Sequence, residues 1–418
     1  MITAVAVAGV ELDPNTVSTE AITVTHGRSA VDEGPSASSA TLTLLASTMP
    51  AWSVGDPIVI ESSWGALFTG IITDRAIPEH IQTVERGRCA RVELDATGAV
   101  AILGRRPVGD EPWPQETSTA RATRILELSG VPYQVDTSAA TTVQVNPRDI
   151  DAQTALDVLD ELAGDTAAAV VDTPDGRVLF QPLEARSRPV FAVRWQDFPP
   201  DDTWADFDAA TTWADLGYRS PASEVPLVLP SGAVGFEPEW KSTAGAIINS
   251  VRIGYGVPTE GAEQSSVSGQ DDASIARYGR RHFGNDSQLA RLTDAQAVVS
   301  RVMSTRAWER WAMGSVDVYV DALDEPTRAA VAGLRCGDWV RVDDLPQPAP
   351  AISWAGICEG WAYREWVSGD TRHAGWTLAL SDPLLSLAAM VWADFPPAFT
   401  WSAFDPLLTW SDLVTAPA

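Results

Sequence analysis

The sequence predicts a mainly β protein with α+β insertions, in which two regions are copies of one antiparallel sheet or barrel. Three observations carry that prediction. Short alternating runs are separated by turn residues, the same strand marks return late in the chain, and a helical period interrupts them.

The first β region runs to about Leu103. Ile22-Thr-Val-Thr alternates, as do Ala40-Thr-Leu-Thr-Leu, Pro57-Ile-Val-Ile and Arg91-Val-Glu-Leu, with Gly, Pro, Ser and Asp clusters between them. Alternation places one face of each strand on a core, and those clusters supply turn chemistry. From Gly104 to Pro189 the period changes. Ala120–Leu128 reads as a helix closed by Gly130 and barred from continuing by Pro132. Over 151–163, Ala152, Ala155, Leu156, Leu159 and Leu162 mark one helical face, with Gly164 at the expected stop. A hairpin follows: Ala168-Ala-Val-Val, a Pro174-Asp175-Gly176 turn, then Val178-Leu-Phe.

From Ala246 to Ser386 the chain returns to β, and marks from the first region recur. Val54-Gly55-Asp56-Pro-Ile-Val-Ile60 precedes Leu67-Phe-Thr-Gly70-Ile-Ile72, as Cys336-Gly337-Asp338-Trp-Val-Arg-Val342 precedes Trp354-Ala-Gly356-Ile-Cys358. Ala40–Leu44 matches Ser315–Val320, Val92–Leu94 matches Thr377–Leu380, and Ile22–Val24 is set against Ser250–Ile253. Five strands in one order predict two copies of a β domain. An insertion in the second copy carries a capping-box signature at Thr293-Asp-Ala-Gln296 and a helix face at Ala295, Val298, Val299, Val302 and Met303, running towards Trp311.

One phrase is written six times at a nine-residue step. It reads Trp195-Gln-Asp-Phe198, Trp204-Ala-Asp-Phe207, Trp213-Ala-Asp-Leu216, then Trp392-Ala-Asp-Phe395, Trp401-Ser-Ala-Phe404, Trp410-Ser-Asp-Leu413. Thr before Trp with Asp three residues on is a capping-box variant, so each unit predicts one capped turn presenting an aromatic pair. Pro199-Pro200 and Pro396-Pro397 keep the turn short. The interaction candidates are therefore Trp195, Trp204, Trp213, Trp392, Trp401, Trp410, Phe198, Phe207, Phe395 and Phe404. They could staple the chain's own domains, dock a protein partner, or form a sugar platform.

At 418 residues, two to four domains are expected. The net charge of −27 disfavours grip on DNA or anionic membrane, which needs Lys and Arg, yet permits a surface past which DNA slides. Cys89, Cys336 and Cys358 are odd in number and lack C-x-x-C spacing, so neither a disulfide framework nor a zinc site is expected. The N-terminal residues lack a signal peptide's basic region, and the longest apolar stretch, near Leu384–Trp392, is too short to span a bilayer. A soluble, non-secreted chain assembled in a reducing cytoplasm is expected.

No phosphate loop, His-Glu-x-x-His or EF-hand occurs, so no catalytic, cofactor or metal residues are assigned. His26, His80, His282 and His373 are scattered, and the pairs Asp201-Asp202, Asp271-Asp272 and Asp343-Asp344 read as solvated turns. Arg277, Arg280, Arg281 and His282 form the densest basic cluster, a salt-bridge site or an exposed loop.

Thr25-His-Gly-Arg28, Ala40-Thr-Leu-Thr-Leu, Val54-Gly-Asp56 and Leu67-Phe-Thr-Gly-Ile71 together resemble minor tail proteins of tailed phages infecting actinobacteria. So do Asp272-Ala-Ser-Ile-Ala-Arg-Tyr-Gly279 and the Trp-Ala-Asp-Phe phrases. That group is in turn similar to the baseplate (tail-tip) hub family. The resemblance implies two tail-tube-like antiparallel β-barrel domains, at 1–103 and 236–386, the second with an inserted helix. It leaves a small α/β insert at 104–189, a Trp-repeat arm and linker at 190–235, and a C-terminal Trp-repeat arm at 387–418. It further implies a non-enzymatic virion protein, a homotrimeric hub joining tail-tube proteins to a central fibre or spike, with DNA only passing through the lumen. A host-wall glycan-binding component is the alternative, and a tail-borne cell-wall hydrolase a third.

Overall fold

The computed structural model describes residues 1–13, 17–31, 33–46, 51–83, 87–109, 112–137, 143–149, 153–186, 227–235, 240–242, 244–257, 263–309, 312–345, 354–368 and 371–382. The first copy holds β1 (Ile2–Val7), β2 (Val17–Gly27), β3 (Ser39–Ala46), β4 (Pro57–Ser62), β5 (Gly65–Thr83) and β6 (Gly87–Thr97). They pair antiparallel in the order β2-β3-β6-β5-β4-β1.

The insert contains α1 (Ser118–Ser129), β7 (Tyr133–Val135), α2 (Ala155–Thr166), β8 (Ala169–Asp172) and β9 (Val178–Gln181). Gly130 ends α1 in the left-handed conformation, as its sequence position predicts. Gly164 does not end α2. Thr154 and Asp157 form a capping box at its start, and the helix runs past Gly164 to a left-handed Ala167. Ile125, Leu126, Val158, Leu159 and Phe180 close a core of its own.

Next come β10 (Leu227–Pro230), β11 (Ser250–Tyr255), β12 (Ser265–Gln270), α3 (Asp272–Tyr278), β13 (His282–Asp286) and α4 (Leu292–Arg306). Strands β12-β11-β13 form a separate sheet whose Val251 and Ile253 pack with Ala295, Val299 and Met303 of α4. The expected capping box at Thr293 is absent. The helix begins at Leu292 with no side-chain cap, and Asp294 is held by the Arg291 guanidinium and the Gln144 amide. The last described strands are β14 (Ser315–Tyr319), β15 (Trp339–Asp343), β16 (Trp354–Ser368) and β17 (Thr371–Ser381).

Pairing in the second copy repeats that of the first. β14 pairs β17 as β3 pairs β6, β17 pairs β16 as β6 pairs β5, and β16 pairs β15 as β5 pairs β4. The register repeats as well: Ile58 faces Gly70 and Ile60 faces Phe68, as Val340 faces Gly356 and Val342 faces Trp354. A bulge falls between Ile72 and Asp74 in one copy and between Cys358 and Gly360 in the other. In both, an aromatic ring two residues earlier lies over the glycine. A Cβ on Gly70 would meet Phe68 at 2.6 Å, and one on Gly356 would meet Trp354 at 2.3 Å.

The Gly-Asp marks are one turn made twice. Gly55 and Gly337 have φ of +94° and +95°. Gly55 N donates to Ile72 O and Ile72 N to Asp56 O, at 2.8 and 3.0 Å; Gly337 N donates to Cys358 O and Cys358 N to Asp338 O, both at 2.8 Å. Each Asp side chain accepts the amide three residues back, from Ser53 and Arg335.

The counterpart of β2 is not Ser250–Ile253, which belongs to the separate sheet. Leu44 faces Val17 in the first copy, and its equivalent Val318 faces Val234. Ser39 faces Thr25, and its equivalent Met313 faces Trp240. The first strand of the second copy is therefore marked by Val234 and by Trp240–Lys241, and β10 takes the place of β1, though parallel to its neighbour.

Two separate closed barrels are not found among the described residues. The outer edge of β2 pairs antiparallel with β16, from Gly27–Gly360 to Ile22–Glu365, so the copies merge into one large, mainly antiparallel sheet. Their apolar faces share one core, with Val24, Leu42, Ile60 and Phe68 in the same cluster as Val318, Val342, Tyr363 and Trp376. The physical reason is edge competition. An edge strand satisfies its open amides on any matching edge, and β16 offers one within the chain.

Candidate functional site

The ten Trp and Phe interaction candidates of the sequence lie outside the described residues. The structure instead brings buried polar groups together at the seam between the copies. Glu359, fully buried in β16, accepts from Arg28 Nη2 at 2.7 Å, Arg186 Nη2 at 2.5 Å and Ser381 Oγ at 2.5 Å. Arg28 follows β2, Arg186 ends the insert and Ser381 ends β17, so one carboxylate gathers three distant parts of the chain. Burial pushes the Glu359 carboxyl up, and Arg186 and Arg28 outweigh it, leaving it below the ordinary glutamate value. Two cations around one anion in a dry site are worth little against a hydrophobic alternative, but losing one partner strands a buried charge.

Glu365, six residues along β16, ties the N-terminus to the seam. It accepts from Ile2 N at 2.5 Å, from Arg372 Nε at 2.6 Å and from the Tyr363 hydroxyl. Burial lowers the Met1 amine to about 6.

Beside the seam, Ser38, His26 and Asp172 come together. His26 Nε2 lies 2.6 Å from Leu67 O, and Nδ1 contacts Ser38 Oγ. The carbonyl can only accept, so Nε2 carries the proton and Nδ1 accepts from the hydroxyl. Burial lowers His26 to about 4, which keeps the ring neutral. Asp172 accepts from the amides of Ser38 at 2.6 Å and Val100 at 2.8 Å, and burial raises it to about 6. These are the residue types of a hydrolytic triad in a different wiring: the carboxylate orients backbone and leaves the imidazole alone. Ser38 is 1% exposed. The arrangement locks the insert onto the first copy, with the hydroxyl buried and bonded to the imidazole.

The other candidates are dispersed. His373 contacts Asp321 at 2.7 Å and stacks on Trp366, and His282 contacts Ser250. Asp271 caps α3, and Asp343 pairs with Arg341. Cys336 and Cys358 are free thiols, both raised chiefly by burial. The side chains of Cys89 and His80 lie outside the described residues. Among the described residues no group of three His, Cys, Asp or Glu is placed to hold a metal ion, and no helix is long and apolar enough to cross a membrane.

The sequence signal for the seam lay in Thr25-His-Gly-Arg28, read only as part of a family resemblance. His26 and Arg28 supply bonds of the seam, and Gly27 lets the backbones meet. Glu359 gave a weaker signal, an acid between Cys358 and Gly360 directly after the apolar run Trp354-Ala-Gly-Ile-Cys358.

No family model and no curated protein matches this chain. Solved structures do. The 43 kDa tail protein of prophage MuSo2 from Shewanella oneidensis aligns over 92% of this chain and 99% of its own, at 12% identity and a TM-score of 0.56. A tail protein from Neisseria meningitidis aligns over 92% and 97%, at 11% identity and 0.58. Prophage tail protein gp18 from Listeria monocytogenes aligns over 90% and 93%, at 11% identity and 0.50. At these identities the likeness is one of fold, a fold found in phage and prophage tail proteins.

Proposed function

We propose that the chain is a non-enzymatic structural protein of a phage tail tip, assembled in the host cytoplasm, whose virus infects an actinobacterium. It acts as a homotrimeric hub between the tail tube and a central fibre or spike, and its acidic lumen lets DNA pass without adhering. The observation that carries this reading is the seam. Two copies of one module join edge to edge, β2 of the first lying on Gly360–Glu365 of the second.

By register, the equivalents of those edges are Trp240–Lys241 and Asp74–Glu79 of β5. On β5, pairing with β4 ends at Ile71, and among the described residues no strand covers the edge beyond it. The same joint made between chains would set Lys241 of one beside Arg75 of the next and, with three chains, close a ring of six modules. A head-to-tail joint that closes leaves no free edge.

The test is the assembly state of the purified full chain, alone and with its tube protein. Threefold particles with a central hole are expected. A stable monomer at high concentration that gives no ring with tube protein would overturn the reading. Ile77→Pro, on the proposed outer edge, should abolish rings while leaving the melting temperature of the monomer within a few degrees.

A further inference from the structure

The densest basic cluster of the sequence folds into a surface patch that the seam and the core leave unused. Tyr278, at the end of α3, meets Trp308 edge-on with ring centroids 5.9 Å apart, and the Arg277 guanidinium lies 5.2 Å from the Tyr278 ring. Trp308 is 40% exposed and donates its indole N–H to Asp271. Arg280 bonds only the Gln270 amide oxygen, at 3.2 Å, and Arg281 is placed by its backbone N–H on Asn249. Asp271, Asp272 and Glu309 are the acids next to these residues in the chain, and among the described residues none of them pairs with an arginine of the patch. Asp271 is engaged by the Ser274 amide and Trp308, and Asp272 by the Gln270 amide. None of the three arginines has a carboxylate partner among the described residues, in a chain carrying 56 acidic residues. Arg277, Arg280 and Trp308 are exposed beside a half-buried Tyr278, the composition of an interface anchor.

We infer that this patch on α3 and the α4 exit is the docking site for the chain's own C-terminal Trp repeat, residues 387–418. Three observations favour this occupant. The repeat contains Asp394, Asp405 and Asp412 and no Lys, Arg or His, so its charge complements the unpaired arginines. Its three tryptophans and its phenylalanines suit a surface that already presents two aromatic rings, one of them under the Arg277 guanidinium.

The repeat also begins nearby. Ser381 sits on Glu359, which holds Arg186, and Arg186 lies close enough to Arg301 of α4 for its charge to act there. Trp308 follows seven residues later, roughly 10 Å at helical rise. The residues between Asp382 and Trp392, extended, span roughly 30 Å, enough to bridge the gap.

The experiment is site-directed photo-cross-linking on the full chain, with p-benzoylphenylalanine in place of Tyr278 and the product mapped by mass spectrometry. Cross-links to 387–418 are expected, falling at least fivefold in R277E/R280E. A charge swap guards against misfolding: adding D394R/D405R/D412R to R277E/R280E should recover most of the yield. Mixing isotope-labelled and unlabelled chains tells docking within one chain from docking between copies, and either supports the site. Cross-links confined to other segments, or a yield indifferent to charge reversal and charge swap, would overturn it.

Discussion

Gly27 and Gly360 are register partners across the seam, and each stands where the other's backbone leaves no room for a side chain. A Cβ on Gly27 would lie 2.3 Å from Glu359 O, and one on Gly360 would lie 2.4 Å from His26 O. Gly27 also holds a φ of +75°. The two modules can therefore close on each other only where both strands carry glycine, and the Arg28–Glu359 pair sits one residue away on that contact.

Gly360→Ala should destabilise the protein by roughly 2–4 kcal/mol, since backbone, which cannot rotate away, is what it meets. Gly164→Ala is the control. It lies inside a helix with nothing within 4 Å of its added Cβ, so it should gain about 0.5–1 kcal/mol. Urea melts of both variants check the pair; equal effects would mean that the seam is not tightly packed.

Glu359→Gln should cost roughly 3–5 kcal/mol by leaving two buried guanidiniums around a neutral amide. The carboxyl is held below its ordinary value in the folded state. Its contribution is present above the unfolded pKa, near 4.5, and is lost as pH falls through the folded one. The variant's acid-unfolding limb should therefore be shallower than the wild type's in a pH series of thermal melts.

Asp165 carries the opposite sign. It holds the β12-β11-β13 sheet to the insert by accepting from Gln288 N and Asn285 Nδ2, both at 2.8 Å, and burial raises it from 3.8 to about 6. The folded state binds the proton more tightly, so this group's stabilisation is full below about 3.8 and is lost as pH rises through 6. Relative to Asp165→Asn, which cannot titrate, the wild type should gain on the order of 2–3 kcal/mol between pH 7 and pH 4. His26 moves the other way, losing stability as pH falls from 6.5 towards 4, and the subtraction removes it. A difference that does not change with pH would remove this account of the joint.

Ala167→Gly should stabilise the insert by roughly 1 kcal/mol, because α2 ends on a left-handed alanine with a φ of +53° where glycine is unstrained. Thr154→Ala, at the other end of the helix, should cost about 1 kcal/mol by removing the cap on Asp157 N. Both are read from the melting temperature.

Local chemistry was legible where a residue can do only one thing. Gly55-Asp56 and Gly337-Asp338 make the turn that their positions predict, and Gly70 and Gly356 mark equivalent rungs of the two copies. The reading failed where a segment had to choose a partner. Ser250–Ile253 alternates like a strand and is one, but it pairs with β12 and β13, while the short Trp240–Lys241 run, with no alternation to display, serves the second copy. Thr293-Asp-Ala-Gln296 has the spacing of a cap, yet Asp294 is taken by Arg291 and by Gln144 from the insert.

By itself, then, the chain's sequence determined many of its strands, its turns and the recurrence of one strand-and-turn pattern, because each depends on a few neighbouring residues and the backbone freedom they allow. Only the tertiary structure decided that the copies share one sheet and that Arg28, Arg186, Ser381 and Glu359 meet. Those outcomes depend on which open edge lies within reach and which buried charge needs a partner, and groups as far apart as Arg28 and Glu359, 331 positions, settle such questions together.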